Sequence, residues 1–303
     1  WARFLVECPR TTVSLVSSMP GRRVEGGAPG SAAEDWREAV RRSSVHAVLV
    51  CTPVDVRAEV SIAAMEAGKH VLCDQPIAAH PDIGEQVVQT ARRCEVVFFG
   101  SARFRHRRAV MRMHQWIADG FIGEPTALRC RFGPPESAAG VEVPPEETLG
   151  ERTVWGADLA RRLFGQVEGV VALDPPRPAE MVVALLRGSS GEVALFEACL
   201  LADAGEFSVE VLGRDGYASA RGSDGDGRER AAVARRDLRA PFRETRVEFA
   251  GADPSAAREW GAFADAVRAG GDDAAAADAL AALRLLAAVR QSVRLRRVVD
   301  VLQ

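Results

Sequence analysis

The amino-acid sequence predicts an α/β fold, in which a doubly wound parallel sheet precedes a second α+β domain with a large, mostly antiparallel sheet. Two observations support this prediction. Up to about residue 103, short apolar runs rich in β-branched residues alternate with helical stretches, which is typical of a parallel sheet covered on both faces. Beyond that point, apolar strands follow one another with Gly, Asp and Ser turns between them, which is typical of antiparallel pairing.

The first domain is assigned to residues 1–103. Its short apolar runs predict strands at Val13–Val16, Ala47–Cys51, Val71–Cys73 and Val96–Phe99. Periodicity and end signals predict helices between them, at Glu34–Arg42, Val56–Ala67 and Pro81–Cys94. Gly68 suits the position after a helix end, and Pro81 suits the first turn of a helix.

The second domain is assigned to residues 104–303. It opens with an amphipathic helix at residues 108–119, and six strands are predicted after it, at Ala127–Phe132, Val167–Leu173, Met181–Leu186, Val193–Leu200, Phe207–Leu212 and Thr245–Phe249. Two helices follow, at Ser255–Arg268 and Ala274–Leu295. The segment rich in Pro and Glu at residues 133–148 is interpreted as a pocket loop.

Composition excludes several classes of function. The chain has 39 basic and 42 acidic residues and a net charge of −3. This balance does not provide the excess of positive charge that indicates binding to nucleic acid or to an anionic membrane. No run approaches the roughly 18 apolar residues of a membrane span. The six cysteines form no C-x-x-C pair, which indicates buried thiols in a reducing cytoplasm and no metal site.

Lysine is almost absent from the sequence. Of the 39 basic residues, Lys69 is the single lysine and the others are arginine. Burial can lower the pKa of a lysine into the range of acid–base catalysis, whereas arginine stays charged. Any mechanism based on lysine must therefore use Lys69.

Polar turns after two neighbouring strands form the first candidate site. Cys51-Thr52-Pro53 follows one buried strand, and Asp74-Gln75-Pro76 follows the next. In doubly wound sheets, ligands bind at the carboxyl ends of the strands, where these turns fall. The same residues are equally compatible with two ordinary strand ends.

The phrase AVLVCTP, followed by AAMEAGKHVLCDQP, resembles the fingerprint of the Gfo/Idh/MocA family, which includes glucose-fructose oxidoreductase and inositol dehydrogenase. The resemblance continues through Arg103-Phe104, Ile117–Pro125 and Gly156–Gly165. It implies a Rossmann-type domain that binds NAD(H) or NADP(H), and a second domain that binds a sugar, a cyclitol or a similar secondary alcohol or ketone. It also implies a homo-oligomer formed through the second-domain sheet.

The chain departs from the family pattern at the catalytic positions. Where the family has E-K-P, with the lysine as catalytic acid–base, this sequence has Asp74-Gln75-Pro76, and an amide cannot exchange a proton near neutral pH. The family motif D-x-G-x-H-x-x-D, counted back from Asp158, places its first acid at Glu151 and its histidine at Trp155. Glu151 is thus the remaining catalytic candidate, and the usual catalysis is expected to be impaired or absent.

Lys69, His80 and His106 are the side chains to consider as replacements for the missing groups. Lys69 lies at the start of a strand, about 16 Å of extended chain from Asp74, and is interpreted as a solvated lysine. His80 and His106 lie closer to the expected cleft, but their spacing pairs neither with an orienting carboxylate. The histidine that follows T-P-N in the family is Arg57 here.

The front of the chain contains no G-x-G-x-x-G phosphate-binding loop. Because the strand before that loop is central in such a sheet, we expect the sequence to be truncated by roughly 15 to 25 residues; a genuine protein without this strand is the alternative. The second strand ends at Ser18 without the usual acid, and Arg22 follows closely, which slightly favours NADP(H) over NAD(H). Ser18, Arg22 and the two polar turns are the predicted cofactor-binding residues.

Two functions are therefore compatible with the sequence. The first is an NAD(P)-dependent oxidoreductase homologue with impaired catalysis, because Gln75 and Trp155 stand at the catalytic positions. The alternative is a non-catalytic protein on the same fold that binds a nucleotide or a sugar, as a regulator or a partner subunit.

Overall fold

The computed structural model describes residues 35–134, 145–173, 180–202, 205–223, 227–236, 243–271 and 273–301. The chain divides into two compact units, one of Trp1–Ala102 with Ala256–Leu283 and the other of Arg103–Ser255 with Arg284–Gln303. The predicted strand at Val13–Val16 and the candidate residues Ser18 and Arg22 lie outside the described residues.

In the first unit, the described residues form a three-stranded parallel sheet in the order β1-β2-β3. Its strands are β1, Ala47–Val50; β2, His70–Cys73; and β3, Phe98–Gly100. Helices alternate with the strands: α1, Trp36–Arg41; α2, Val54–Glu66; and α3, Pro81–Arg93. The alternation, and the end signals of two helices, are as predicted: Gly68 follows α2 with φ +75°, and Pro81 opens α3.

Lys69 holds the start of β2 against the end of α1. The residue is 8% exposed, and its Nζ donates a hydrogen bond of 2.9 Å to the carbonyl of Arg42. The interpretation of Lys69 as a solvated side chain is therefore wrong. The reason is local, since the residue after α1 offers its carbonyl at the start of the strand, where it accepts from Lys69 as well as from the backbone N–H of Val45 at 3.2 Å.

The chain returns to the first unit near its end. Two helices follow the second sheet, α6 at Ser255–Ala269 and α7 at Asp273–Leu295, and Ala256–Leu283 belongs to the first unit. Phe263 on α6 packs in a buried cluster with Leu72 and Phe99.

The carboxylate of Glu259 on α6 also accepts hydrogen bonds at the end of β3. Its donors are the Ser101 hydroxyl, at 2.9 Å, and the backbone N–H of Ala102. The sequence-based division placed both helices in residues 104–303, because a spatial return of the chain leaves no local signal.

In the second unit, the described residues form a nine-stranded sheet in the order β11-β10-β9-β8-β4-β7-β6-β5-β12. Neighbouring strands are antiparallel except β4 and β7. The strands are β4, Pro125–Phe132; β5, Val167–Leu173; β6, Met181–Gly188; β7, Val193–Cys199; β8, Phe207–Gly213; β9, Gly216–Gly222; β10, Glu229–Arg235; β11, Glu244–Phe249; and β12, Val299–Asp300. The predicted fold class, a Rossmann-type parallel sheet plus a second domain with a mostly antiparallel sheet, is confirmed.

In the second unit, one helix precedes β4 and another lies between β4 and β5. The helix α4, Arg108–Ala118, is close to its predicted bounds and packs against β9 and β10. The helix α5, Pro145–Phe164, begins inside the segment that was interpreted as a pocket loop. A 3₁₀ turn at Arg103–His106 leads into α4. None of the helices in the described ranges combines the length and hydropathy needed to cross a bilayer.

The last residue of β3 allows α7 to approach the sheet closely. A side chain added at Gly100 would meet the Cβ of Ala279 on α7. We expect Gly100→Ala to lower the free energy of unfolding by about 1–3 kcal/mol, because strand and helix must separate to admit the methyl group. Denaturant unfolding measures this change.

The control substitution is Gly261→Ala on α6, in the same unit. Nothing lies within 4 Å of its added Cβ. Because alanine favours a helix interior, we expect this variant to gain about 0.5–1 kcal/mol. Equal free energies of unfolding for Gly100→Ala and Gly261→Ala would contradict the close contact between Gly100 and Ala279.

Candidate functional site

Three polar turns meet at the carboxyl edge of the parallel sheet. The strands are aligned so that Val50 faces Cys73 and Cys73 faces Gly100. Beyond them, the N–H of Asp74 donates to the Val50 carbonyl at 2.9 Å, and the N–H of Ser101 donates to the Cys73 carbonyl at 2.8 Å. The sheet thus brings together six predicted site residues, Cys51, Thr52, Pro53, Asp74, Gln75 and Pro76.

In the part of the chain that the structure describes, two buried polar atoms at this edge have no hydrogen-bond partner. They are Oγ1 of Thr52 and Oε1 of Gln75, a residue that is only 6% exposed. Buried polar groups in folded proteins are rarely left unpaired, because an unmade hydrogen bond carries a penalty of about 1–3 kcal/mol. The two atoms therefore fit a ligand that brings hydroxyl or amide donors to this edge, as the ribose hydroxyls and carboxamide of a nicotinamide dinucleotide do.

Arg57 lies behind the two turns and bonds to both. It is 7% exposed, its Nε donates to the Thr52 carbonyl at 2.6 Å, and its Nη1 donates to the Pro76 carbonyl at 3.0 Å. From the sequence, Arg57 is visible only as the replacement of a histidine. Its spacing, five residues after Thr52 and in the first turns of α2, was the available signal for this contact.

The thiols at the edge do not supply an acid–base group near neutral pH. Burial raises the pKa of the Cys73 thiol to about 12, although the positive charge of Arg57 opposes the shift. Cys51 is exposed as a residue, yet burial of its thiol and the nearby Asp74 carboxylate raise its pKa well above the ordinary value. Both cysteines therefore remain protonated thiols.

Trp155 is part of an aromatic cluster in the second unit. Its indole stacks on Phe104, with ring centroids 5.0 Å apart and planes 16° apart, and meets the edge of Phe132 at 5.7 Å. The guanidinium of Arg152 lies 4.0 Å from the indole centroid. At the position where the sequence resemblance expects a histidine, Trp155 is thus a packing residue. Glu151, the catalytic candidate, is half-buried on the same helix α5.

The carboxylate of Asp158, which also lies on α5, is paired with Arg105. The carboxylate of Asp158 accepts two hydrogen bonds from Arg105, one of them from Nε at 2.5 Å. Nearby, burial and the charge of Arg162 lower the pKa of His114 to about 4, against the opposing effect of Asp158. His114 is therefore neutral at pH 7, and sequence spacing gave no sign of this cluster.

The two histidines considered as substitutes belong to different units. His80 is exposed at the start of α3, in the first unit, and makes no capping hydrogen bond with its side chain. His106 is half-buried in the 3₁₀ turn of the second unit. Within the described ranges, no three His, Cys, Asp or Glu side chains are grouped so that they could hold a metal ion.

Residues 17–101 match the sequence model of the oxidoreductase family GFO_IDH_MocA, described as an NAD-binding Rossmann fold. This match contains both polar turns, and the sequence resemblance is confirmed. Over residues 17–101 the chain belongs to the Gfo/Idh/MocA family.

Three curated relatives of the chain have the names of enzymes that act on sugars or on a cyclitol. The chain is 28% identical to 1,5-anhydro-D-fructose reductase of Ensifer adhaerens over 68% of each chain. It is 26% identical to levoglucosan dehydrogenase of Pseudarthrobacter phenanthrenivorans, over 52% of this chain and 45% of the relative. With myo-inositol 2-dehydrogenase of Thermotoga maritima the identity is 25%, over 60% of this chain and 58% of the relative. The chain thus spans about half to two thirds of these relatives.

Solved structures with the same fold match a larger share of this chain than the curated relatives do. A 3-ketoreductase from Actinomadura kijaniata, in complex with NADP and TDP-benzene, superposes with a TM-score of 0.80 at 23% identity, over 96% of this chain and 93% of that chain. Levoglucosan dehydrogenase in complex with NADH and levoglucosan gives 0.77 at 22% identity, over 89% of this chain and 84% of that one. At these identities the likeness concerns the fold.

The packing of Trp155 has a measurable consequence. We expect Trp155→His to lower the free energy of unfolding by about 2–4 kcal/mol, because imidazole cannot fill the space between Phe104 and Phe132. The control Trp155→Phe keeps an aromatic ring and should lose less. Chemical unfolding curves of the two variants test this, and a histidine variant as stable as the parent would contradict the structural role of the indole.

Proposed function

We propose that this protein binds NADP(H) or NAD(H) at the carboxyl edge of its parallel sheet, together with a sugar, cyclitol or similar secondary alcohol or ketone. We further propose that its oxidoreductase chemistry is impaired. Support for the dinucleotide comes from the family match over residues 17–101 and from the two unpartnered buried atoms at the edge. Support for the substrate class comes from the relatives that act on anhydro-sugars and inositol.

The observation that carries the proposal is the state of Gln75. It is buried, its Oε1 has no partner, and it stands where the family resemblance places the catalytic lysine. Its carbonyl oxygen can accept a hydrogen bond from a ligand hydroxyl, and its amide can donate one. It can therefore hold a ligand in place, but it cannot transfer a proton.

The consequence for the reaction follows from proton balance. A bound nicotinamide would supply or take up the hydride, and the proton on the substrate oxygen would have to move separately. Because Gln75 and Trp155 could not carry this proton, water or a carboxylate would take it up on oxidation and supply it on reduction, and Asp74 and Glu151 are the candidate carboxylates. Losing a positioned acid–base group slows such a step by about 10²–10⁴-fold.

The preference between the two dinucleotides remains the one that the sequence favours. An acid is absent after Ser18, and Arg22 follows, which suits the 2′-phosphate of NADP(H). A location in the cytoplasm fits the cysteines: Cys51, Cys73, Cys94, Cys130 and Cys199 are free thiols.

A second candidate function is a non-catalytic binding protein, as a regulator or a partner subunit. It is favoured by the same pair of residues, because Gln75 is suited to binding and Trp155 is packed against Phe104. On this alternative, the dinucleotide or the sugar is a signal and hydride transfer does not occur.

The test combines binding with turnover. We expect NADPH, and more weakly NADH, to bind with saturation in a titration that follows tryptophan fluorescence. Turnover of a panel of sugars and cyclitols should be slow, and Gln75→Lys should raise it by about 10²-fold or more. Circular dichroism checks that the variant folds, because it places a lysine at a buried position.

The matched control is Gln89→Lys, an exposed glutamine on α3. It makes the same chemical change away from the edge and should leave turnover unchanged. Rapid turnover by the parent protein, without a gain in Gln75→Lys, would contradict the impaired oxidoreductase. Saturable nucleotide binding without turnover in the parent or in Gln75→Lys favours the binding protein.

We also propose that two copies of the chain associate through the outer face of the second sheet. Leu185 on β6 and Leu195 on β7 are opposite each other, 46% and 38% exposed, and the exposed Leu173 and Val193 lie on the same face. Ion pairs border this apolar patch, Arg129 with Glu210 and Arg131 with Glu197. An apolar centre with a polar rim is the usual anatomy of an interface between subunits.

The expected effect of Leu185→Arg is a shift from oligomer to monomer, because two copies would then bury unpaired charges. Light scattering on a size-exclusion column measures the mass. Met111→Arg, at an exposed apolar position on α4, is the control and should leave the mass unchanged. A mass that stays oligomeric in Leu185→Arg would remove this face as the interface.

A further inference from the structure

We propose that Arg57 is a positioning residue for the dinucleotide, and that it sets the affinity by clamping two turns of the sheet edge. The proposal rests on the proposed function, since the ligand is the dinucleotide at that edge. Arg57 itself lies behind the turns and acts through Thr52 and Gln75.

The clamp joins two turns that are separate in sequence. One arm of the guanidinium, Nε, donates to the carbonyl of Thr52 at 2.6 Å; the other, Nη1, donates to the carbonyl of Pro76 at 3.0 Å. These turns follow β1 and β2, which pair side by side. Two features therefore fix the distance between the turns. One is the pairing of β1 with β2, and the other is the planar guanidinium of Arg57, which binds a carbonyl in each turn.

Each clamped turn presents one of the unpartnered buried atoms. Oγ1 of Thr52 belongs to the residue whose carbonyl is held, and Oε1 of Gln75 belongs to the residue before Pro76. Both atoms can bind a ligand only if their separation matches the spacing of its donors. A displacement of about 1 Å between such groups is enough to lose much of a binding or catalytic contact.

Arginine suits this position for a geometric reason. Its guanidinium is planar and rigid, with donors that point in fixed and different directions, so it can bond two carbonyls at once. Lysine has the same charge on a single nitrogen at the end of a flexible stem. Glutamine keeps N–H donors but has no charge. Arg57→Lys therefore keeps the charge and loses the two divergent donors of the guanidinium, whereas Arg57→Gln loses the charge as well. Comparing the two variants separates the effect of donor geometry from the effect of charge.

The experiment measures the dissociation constant of NADPH for the full chain and for Arg57→Lys and Arg57→Gln. We expect both variants to weaken binding by about 10-fold or more, because neither can hold both turns. Val60→Ala, three residues further along α2 and buried, is the control for lost stability. At temperatures where all proteins are folded, it should bind NADPH like the parent.

A readout without ligand distinguishes failure of this proposal from failure of the proposed function. Hydrogen exchange in peptides that span residues 51–57 and 74–80 should be faster in Arg57→Lys by about 10-fold, relative to peptides from β3. It should not be selectively faster in Val60→Ala. If the parent protein does not bind NADPH, the proposed function fails and the affinity role fails with it, while exchange still decides whether the clamp exists.

Three results would overturn the role of Arg57. The first is NADPH binding by Arg57→Lys as tight as in the parent, which would mean that charge and not the fork matters. The second is equal loss of affinity in Val60→Ala, which would assign the effect to general stability. The third is unchanged exchange at both turns in Arg57→Lys and Arg57→Gln.

Discussion

Hydrogen bonding at the ends of parallel strands is the constraint on which the site depends. A parallel sheet leaves backbone carbonyls and N–H groups unpaired where its strands stop, and buried groups of this kind need partners. In the first unit, side chains from elsewhere supply several of them: Arg57 binds the carbonyls of Thr52 and Pro76, and Glu259 binds the N–H of Ala102. By contrast, Oγ1 of Thr52 and Oε1 of Gln75 have no hydrogen-bond partner among the described residues, and the proposed dinucleotide would supply one.

The second unit meets a different constraint, which is the close approach of helix to sheet. Strands β9 and β10 carry alanines at their buried positions, such as Ala218, Ala220 and Ala231, and α4 packs against them. A small side chain brings the helix axis nearer to the sheet, at the expense of the apolar area that a larger residue would bury. The large aromatic side chains concentrate elsewhere, around Phe104, Phe132 and Trp155.

Local patterns in the sequence were sufficient for much of the fold and for the position of the site. The strands that lead into Cys51 and Asp74 were predicted because β-branched apolar runs end there in polar turns. The strands β9 and β10 were missed because Ala, Gly and Ser carry little strand propensity. The start of α5 was missed because Pro and Glu suit both a loop and a first helical turn. The contacts of Arg57, Glu259 and Asp158 join positions distant in sequence or depend on side-chain direction, so no periodicity reveals them.

The burial of Lys69 has a consequence for the chemistry of the protein surface. Because the chain has one lysine, and its amine is bonded to the Arg42 carbonyl, the cationic side chains at the surface are guanidinium groups. Reactions that modify lysine, such as acetylation, ubiquitination or coupling to activated esters, find no accessible side-chain amine in the folded molecule. Regulation of this protein through its lysine would first require α1 to move away from the start of β2.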